Sequence, residues 1–388
     1  MAGATISPSL PTMEQAFAGT PHVQLLTRLV LTTPAVFIAV CAPLAGVIAD
    51  RWGRKSMLLT GVAVYGVAGG AGLVADSLYV ILASRAVLGV AVAGIMTAAT
   101  TLLGESYEGD RRARVLGWQG AIMSFGGVVF LSAGGALAAL SWRGPFAIYL
   151  AALVLVPLVA LRVADPARES APAAVTGAPA DTTGQAQRMP WNTLVLAYST
   201  LLVGQIEFYL VATQLPFYLE RNYGVAPTAS GLAIALLALS AALAALLYRR
   251  VRSHLAPETV ATVTFVLVAG GYATIGVAGA LGPVLAGLVI GGAGLGLMVP
   301  NATHWINATA PAAVRGRALS GVTTAMFLGQ FLSPLASQPL VGRLGLSLTF
   351  TLGGALALAA AGCLAVVAQR AGRADRQGST LTARANSG

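Results

Sequence analysis

The sequence predicts an all-α membrane protein made of two pseudo-symmetric six-helix bundles, with its first helix cut short at the start. Three observations predict it. Only 9% of the 388 residues are charged, 56% belong to the hydrophobic class, and mean hydropathy is +0.78. A soluble chain of this length needs far more charge to cover its surface. Apolar runs long enough to cross a bilayer recur along the chain, and the second half echoes the first at a nearly fixed offset.

A helix crosses the hydrocarbon core in about 20 residues. Runs of that size fall near residues 29–49, 56–75, 78–103, 115–140 and 144–163, then near 191–219, 228–248, 259–280, 282–305, 318–341 and 346–368. Ahead of them, "MAGATISPSLPTMEQAF" at 1–17 reads as the outer end of one more span. The organisation is therefore a first bundle at 1–164, a Pro/Ala/Thr-rich cytoplasmic linker at 165–190, a second bundle at 191–369 and a cytoplasmic tail at 370–388. The cations test this count. With the 50–55 loop in the cytoplasm and sides alternating, eighteen cations fall inside, among them Arg51, Arg54, Lys55, Arg249, Arg250 and Arg252. Only Arg143, Arg221 and Arg343 fall outside, and Arg28 and Arg85 lie within or at the edge of spans. This bias orients the chain with both termini in the cytoplasm. It also accounts for the net charge of +10 without a nucleic-acid partner. Cys41 and Cys363 sit inside apolar runs and read as buried small hydrophobes rather than a disulfide or metal site. No P-loop, CxxC or HExxH pattern is present, so no enzyme activity, metal, cofactor or ATP drive is expected.

The internal repeat sets the architecture. "RVLGWQGAIMSFGG" from Arg114 matches "RALSGVTTAMFLGQ" from Arg317 at an offset of 203, and Gly126 falls on Gly329. At that offset Gly89 falls on Gly292, and Gly46 to Asp50 falls on Arg249 to Ser253. "LPTMEQAFAG" from Leu10 resembles "LPFYLERNYG" from Leu215 at an offset of 205. Two parallel halves place a substrate path between them, around an axis along the membrane normal. The seventh span has 24 residues before its Leu-Pro and the first has nine, so a full first helix calls for about 15 more.

Gly46-x-x-x-Asp50-Arg51-x-Gly53-Arg54-Lys55 resembles the signature loop between helices 2 and 3 of the major facilitator superfamily. Arg85-x-x-x-Gly89 resembles its helix-4 motif. "GGVVFLSAGG", carrying Gly126, Gly127, Gly134 and Gly135, is similar to the Gly-rich motif of its antiporter branch, without the usual Gly-Pro pair. The resemblance covers nearly the whole chain and looks closest to bacterial drug and sugar efflux permeases. It implies a monomer in the bacterial inner membrane whose partners are protons, lipid and a small-molecule substrate. It also implies that Asp50 faces the start of helix 11, where a helix N-terminus favours a carboxylate. The glycines Gly46 and Gly53 allow close helix approach and a tight turn. Arg54 and Lys55 then pair with acids of neighbouring loops, and the cluster acts as a latch that holds the outward-open state. Ser253 stands where Asp50 stands in the first half, which makes the latch one-sided. By resemblance Arg85 takes part in proton handling or helix bracing; otherwise it snorkels to the outer interface.

One carboxylate lies well inside a span. Glu207 is 16 residues into the seventh, roughly 24 Å along it at 1.5 Å per residue. An acid there is a functional residue by default. Thr193, Thr200, Glu207 and Gln214 recur every seven residues and form one polar stripe, expected to face a cavity. A low-dielectric cavity favours the neutral form of an acid, so a proton and a cationic substrate compete for Glu207, which is antiport. Gln119 and Ser124 on the fifth span, Asn301 and His304 on the tenth, and Gln330 on the eleventh are further lining candidates. Met123, Met326 and Phe327 would supply a soft apolar wall. The expected function is a secondary transporter exporting drug-like or amphiphilic cations in exchange for protons. A sugar or metabolite permease, or a non-transporting receptor or assembly protein, are the alternatives.

Overall fold

The computed structural model describes residues 3–163 and 191–385, and helices follow the apolar runs. The linker predicted at 165–190 lies outside the described residues, as do side chains beyond Gln369. A 3-10 turn, Ala4–Ser9, leads into α1, Leu10–Ala16. Then come α2, Val23–Trp52; α3, Arg54–Gly70; α4, Leu78–Ser106; and α5, Gly109–Leu140. The sixth span, Gly144–Arg162, alternates 3-10 and α turns and is called α6. The second half holds α7, Trp191–Tyr223; α8, Pro227–Arg252; α9, Pro257–Gly276; α10, Leu281–Thr309; α11, Ala312–Leu344; and α12, Leu346–Ala385. Among the described residues, eleven helices are long and apolar enough to cross a membrane.

The helices overrun the predicted runs: α2 begins at Val23 rather than near 29, and α12 continues through most of the predicted tail. Hydropathy marks only the part immersed in lipid, whereas a helix satisfies its own backbone beyond it. Local chemistry sets several ends. Pro227 and Pro257 open α8 and α9 at the first position, where an amide hydrogen has no helical partner to lose. Gly53, with φ 84°, is the entire link between α2 and α3, and Gly345, with φ 81°, that between α11 and α12. Val40, Val67, Leu158, Leu246 and Leu358 are exposed on the outer faces, the surface that lipid would cover. Both cysteines are free. Neither is buried as expected: Cys41 is half-buried, and Cys363 is exposed because it lies on the outward face of α12.

The repeat is visible in the packing. α4 lies on α2 and α3 as α10 lies on α8 and α9, and α6 meets α3 as α12 meets α9. A Cβ on Gly89 would sit 2.5 Å from the Pro34 carbonyl oxygen, and one on Gly292 would sit 2.6 Å from that of Leu237. Glycine and partner are both displaced by 203, so this is one contact made twice. Elsewhere a residue meets its own copy: the Ser7 hydroxyl donates to the Ala212 carbonyl, and Gln15 Nε2 donates to Glu220 Oε1 at 3.3 Å, each pair 205 apart. Self-contact of this kind occurs only at a two-fold axis, which therefore passes between α1 and α7. Two seams join the halves, α2 against α11 and α5 against α8. Polar contacts between the halves, such as Arg28 of α2 with Gln214 of α7 and Gln338 of α11 with Gln24 of α2, lie toward the cation-poor end of the bundle.

Candidate functional site

The turn between α2 and α3 is tied to its own half. Arg54 forms an ion pair with Glu105 at the end of α4. Lys55 Nζ donates to the Ala160 carbonyl oxygen of α6 at 2.8 Å. Two cations thus meet the C-terminal ends of two helices, where carbonyl oxygens carry partial negative charge. Lys55 takes a backbone carbonyl rather than the acid expected for it. A Cβ on Gly46 would meet nothing within 4 Å among the described residues, so the close approach expected there is not seen. The side chain of Asp50 lies outside the described residues, and its contact with α11 does too.

Arg85 of α4 is fully buried, which overturns the snorkelling alternative. Its Nη2 donates to the Ala68 and Gly69 carbonyls at 3.0 and 2.6 Å. Its guanidinium lies 5.0 Å from the Phe146 ring centre and 4.9 Å from that of Tyr149. Those carbonyls belong to the last turn of α3 and lack helical partners of their own. Arg85 caps α3 and fastens α4 and α6 to it.

A cavity of about 360 Å³ lies where the first half faces α7 and α11. Aliphatic side chains of α2, α3, α4 and α6 form most of its wall, with Met96 and Met123. Tyr209, Phe327 and Gln330 close it from the second half. Among the described residues, polar side chains reach it from Tyr65, Tyr209 and Gln330, and none of the lining residues is an acid or base; the side chain of Ser124 lies outside the described residues. Glu207 precedes Tyr209 by two residues, about 200° around the helix, and so faces away from the cavity. It is 1% exposed. The Tyr272 hydroxyl donates to the Glu207 backbone carbonyl, and a Cβ on Gly353 would stand 3.0 Å from Glu207 Oε2. The carboxyl therefore sits inside the second bundle between α9 and α12, in room left by a glycine. Its Oε2 has no hydrogen-bond partner among the described residues.

The family pattern described as Major Facilitator Superfamily matches residues 1–221 and 199–384. The chain belongs to that superfamily. Over 108 residues it is 31% identical to the bacillibactin exporter of Bacillus subtilis, a stretch that is 26% of either chain. Over 141 residues it is 32% identical to the class G tetracycline resistance protein of Vibrio anguillarum, 36% of either chain. The chain spans well under half the length of these curated relatives in the matched stretches. Its fold is similar to that of a D-xylose–proton symporter, with a TM-score of 0.75 at 13% identity, over 94% of this chain and 93% of that one.

Of the residues expected to bind substrate in this superfamily member, Met123 and Gln330 line the cavity. Thr200, Glu207, Gln214 and Asn301 are buried elsewhere. The Thr200 hydroxyl returns to the Leu196 carbonyl at 2.8 Å, and Asn301 Nδ2 donates to the Pro257 carbonyl at 2.8 Å. Gln119 and Met326 are not among the lining residues, and Met326 packs on the cluster that contains Trp305. The seven-residue stripe misleads for a physical reason. α7 is buried on every face from Tyr209 to Leu219, so a polar face there meets the bundle as readily as a cleft. In the glycine motif of α5, Gly127 is buried and a Cβ on Gly126 would meet only Phe130 of its own helix, at 3.7 Å. Gly134 abuts the Thr5 carbonyl, and Gly135 abuts α8. Sequence reasoning missed Arg28, seen only as a cation at a span edge. The available signal was that a cation in an apolar run needs a partner, and Glu14 is an acid one helical hairpin away.

Proposed function

We propose that this protein is a secondary active transporter that exports a small amphiphilic solute in exchange for protons, by alternating access. The observation that carries it is the cavity shared by both halves, which among the described residues is apolar except for two tyrosines and one glutamine. A sugar presents many hydroxyl groups, and a site for it needs several converging polar partners. This lining favours a solute with a large apolar body. The faces of Tyr65, Tyr209 and Phe327 suit a delocalised cation through cation–π attraction. One curated relative is named as an exporter and the other as a tetracycline resistance protein, which supports export as the direction. Glu207 carries the proton in this reading. Because Tyr209 faces the cavity and Glu207 the bundle, solute and proton act on opposite faces of α7 and are coupled by its movement rather than by direct competition. Asp50, Arg51, Arg54 and Lys55 form the gate at the cation-rich end, which faces the cytoplasm, and Asp50 meets the start of α11 in the outward-open state.

The test is uptake of ethidium into proteoliposomes under an imposed pH gradient. Glu207→Gln is expected to lose gradient-driven transport by at least tenfold while ethidium still quenches tryptophan fluorescence, since the cavity is untouched. Gradient-driven transport at the wild-type rate in that variant removes Glu207 from the mechanism. No substrate-dependent proton movement in the wild type, with ethidium or with sugars, favours a non-transporting role.

A further inference from the structure

The two seams between the halves occupy matching places in the repeat and are filled with opposite chemistry. At the offset of 203, α2 corresponds to α8 and α5 to α11. Arg28 therefore corresponds to Gly231, Gly134 to Ser337, and Gly135 to Gln338. In the α5/α8 seam these positions are bare backbone. A Cβ on Gly135 would stand 3.0 Å from Gly231 Cα, and one on Gly231 would stand 2.8 Å from Gly135 Cα.

In the α2/α11 seam the same positions carry a polar cluster. Arg28, 1% exposed, donates from Nη1 to Glu14 Oε2 at 2.7 Å and to the Gln24 carbonyl at 2.6 Å. Its Nε donates to Gln214 Oε1 at 2.9 Å, and its guanidinium lies 3.8 Å from the Phe217 ring centre. Gln214 Nε2 passes the chain on to Ser337 Oγ at 3.1 Å, and Gln338 Nε2 returns to Gln24 Oε1 at 3.2 Å.

We propose that the α2/α11 seam is the clasp of the cation-poor gate and the glycine seam is its hinge. On opening, α2 leaves α7 and α11 while α5 and α8 stay in contact. The partners of Arg28 divide accordingly. Glu14 and the Gln24 carbonyl belong to its own half and travel with it, so its charge stays paired when the seam parts. A buried charge stripped of its partners is far more costly. Gln214 and Phe217 belong to the other half, and those contacts are given up, together with the longer pairing of Glu14 Oε1 with Arg221 Nη2 of that half at 3.6 Å. Water replaces the lost hydrogen bonds, so the net cost of parting is modest. The glycine seam offers water little: its helical amides already bond within their own helices, and the Thr228 hydroxyl reaches the Gly135 carbonyl oxygen across it only at 3.4 Å. Parting it would mainly forfeit close contacts.

This inference rests on the alternating-access reading, and its test separates the two. Cys41 and Cys363 are replaced by serine. Spin labels are then placed at Gly19 and Gly342 across the clasp, or at Leu140 and Leu232 across the hinge, in the full chain in lipid nanodiscs. Gln214→Leu removes the inter-half bond and keeps the Arg28–Glu14 pair. It is expected to raise the open-to-closed ratio about tenfold across the clasp, about 1.4 kcal/mol, with no change across the hinge. Gln214→Glu places an acid against Arg28 and is expected to move the clasp the opposite way, whereas a merely structural Gln214 would loosen in both variants. Equal lengthening across both seams overturns the hinge and leaves the transport reading intact. A clasp distance insensitive to both variants overturns the clasp, while ethidium transport judges the transport reading separately.

Discussion

At the scale of single residues, the charges buried in this protein divide by what they touch. Arg85 satisfies two carbonyl oxygens that the end of α3 cannot satisfy itself and lies against two aromatic rings. Arg85→Ala should therefore cost roughly 2–4 kcal/mol of stability, read as earlier thermal unfolding in detergent. Arg85→Lys should recover less than half of the loss, because an ammonium lacks the flat, weakly hydrated guanidinium face that lies against the two rings. Full recovery by lysine would show that charge alone matters at this site. Arg28 and Glu207 show where sequence reasoning stops. Both are ionisable groups in apolar runs, and that much was legible. Which way Glu207 faces was not, since the answer depends on helices more than 60 residues away: Tyr272 and Gly353 enclose it on the side away from Tyr209.

At the scale of helices, the glycines separate into those that something touches and those that nothing does. Gly89 and Gly292 let α4 and α10 approach carbonyl oxygens of α2 and α8 closely, at equivalent places in the two halves. Gly89→Val and Gly292→Val should each destabilise the fold by about 1–3 kcal/mol through overpacking, and by similar amounts. Gly46→Ala, with open space around it, should change stability by less than about 0.5 kcal/mol. Unfolding monitored by tryptophan fluorescence distinguishes the three, and a costly Gly46→Ala would mean that the observed packing of α2 is incomplete. The order of helices and the repeat were readable because apolar run length and a constant offset survive divergence. The seam contacts were not, because Arg28 and Gly231 look unrelated until their partners are known to be Gln214 and Gly135.

At the scale of the whole molecule, cations sort to one end of the bundle, and that asymmetry sets how the chain lies in a membrane. A green fluorescent reporter fused after Gly388 should fluoresce in a bacterial cell. The same reporter fused after Ala278, in the turn between α9 and α10, should stay dark, since that turn lies at the far end. Fluorescence from both fusions would overturn the assigned orientation. The seams carry a further consequence at this scale. Were the halves separate identical subunits, every interface residue would appear on both sides, and a glycine hinge would demand a glycine hinge opposite. Joining the copies in one polypeptide lifts that constraint: each side of the axis became free to drift on its own, and a symmetrical rocking pair could become a door with one jamb and one bolt.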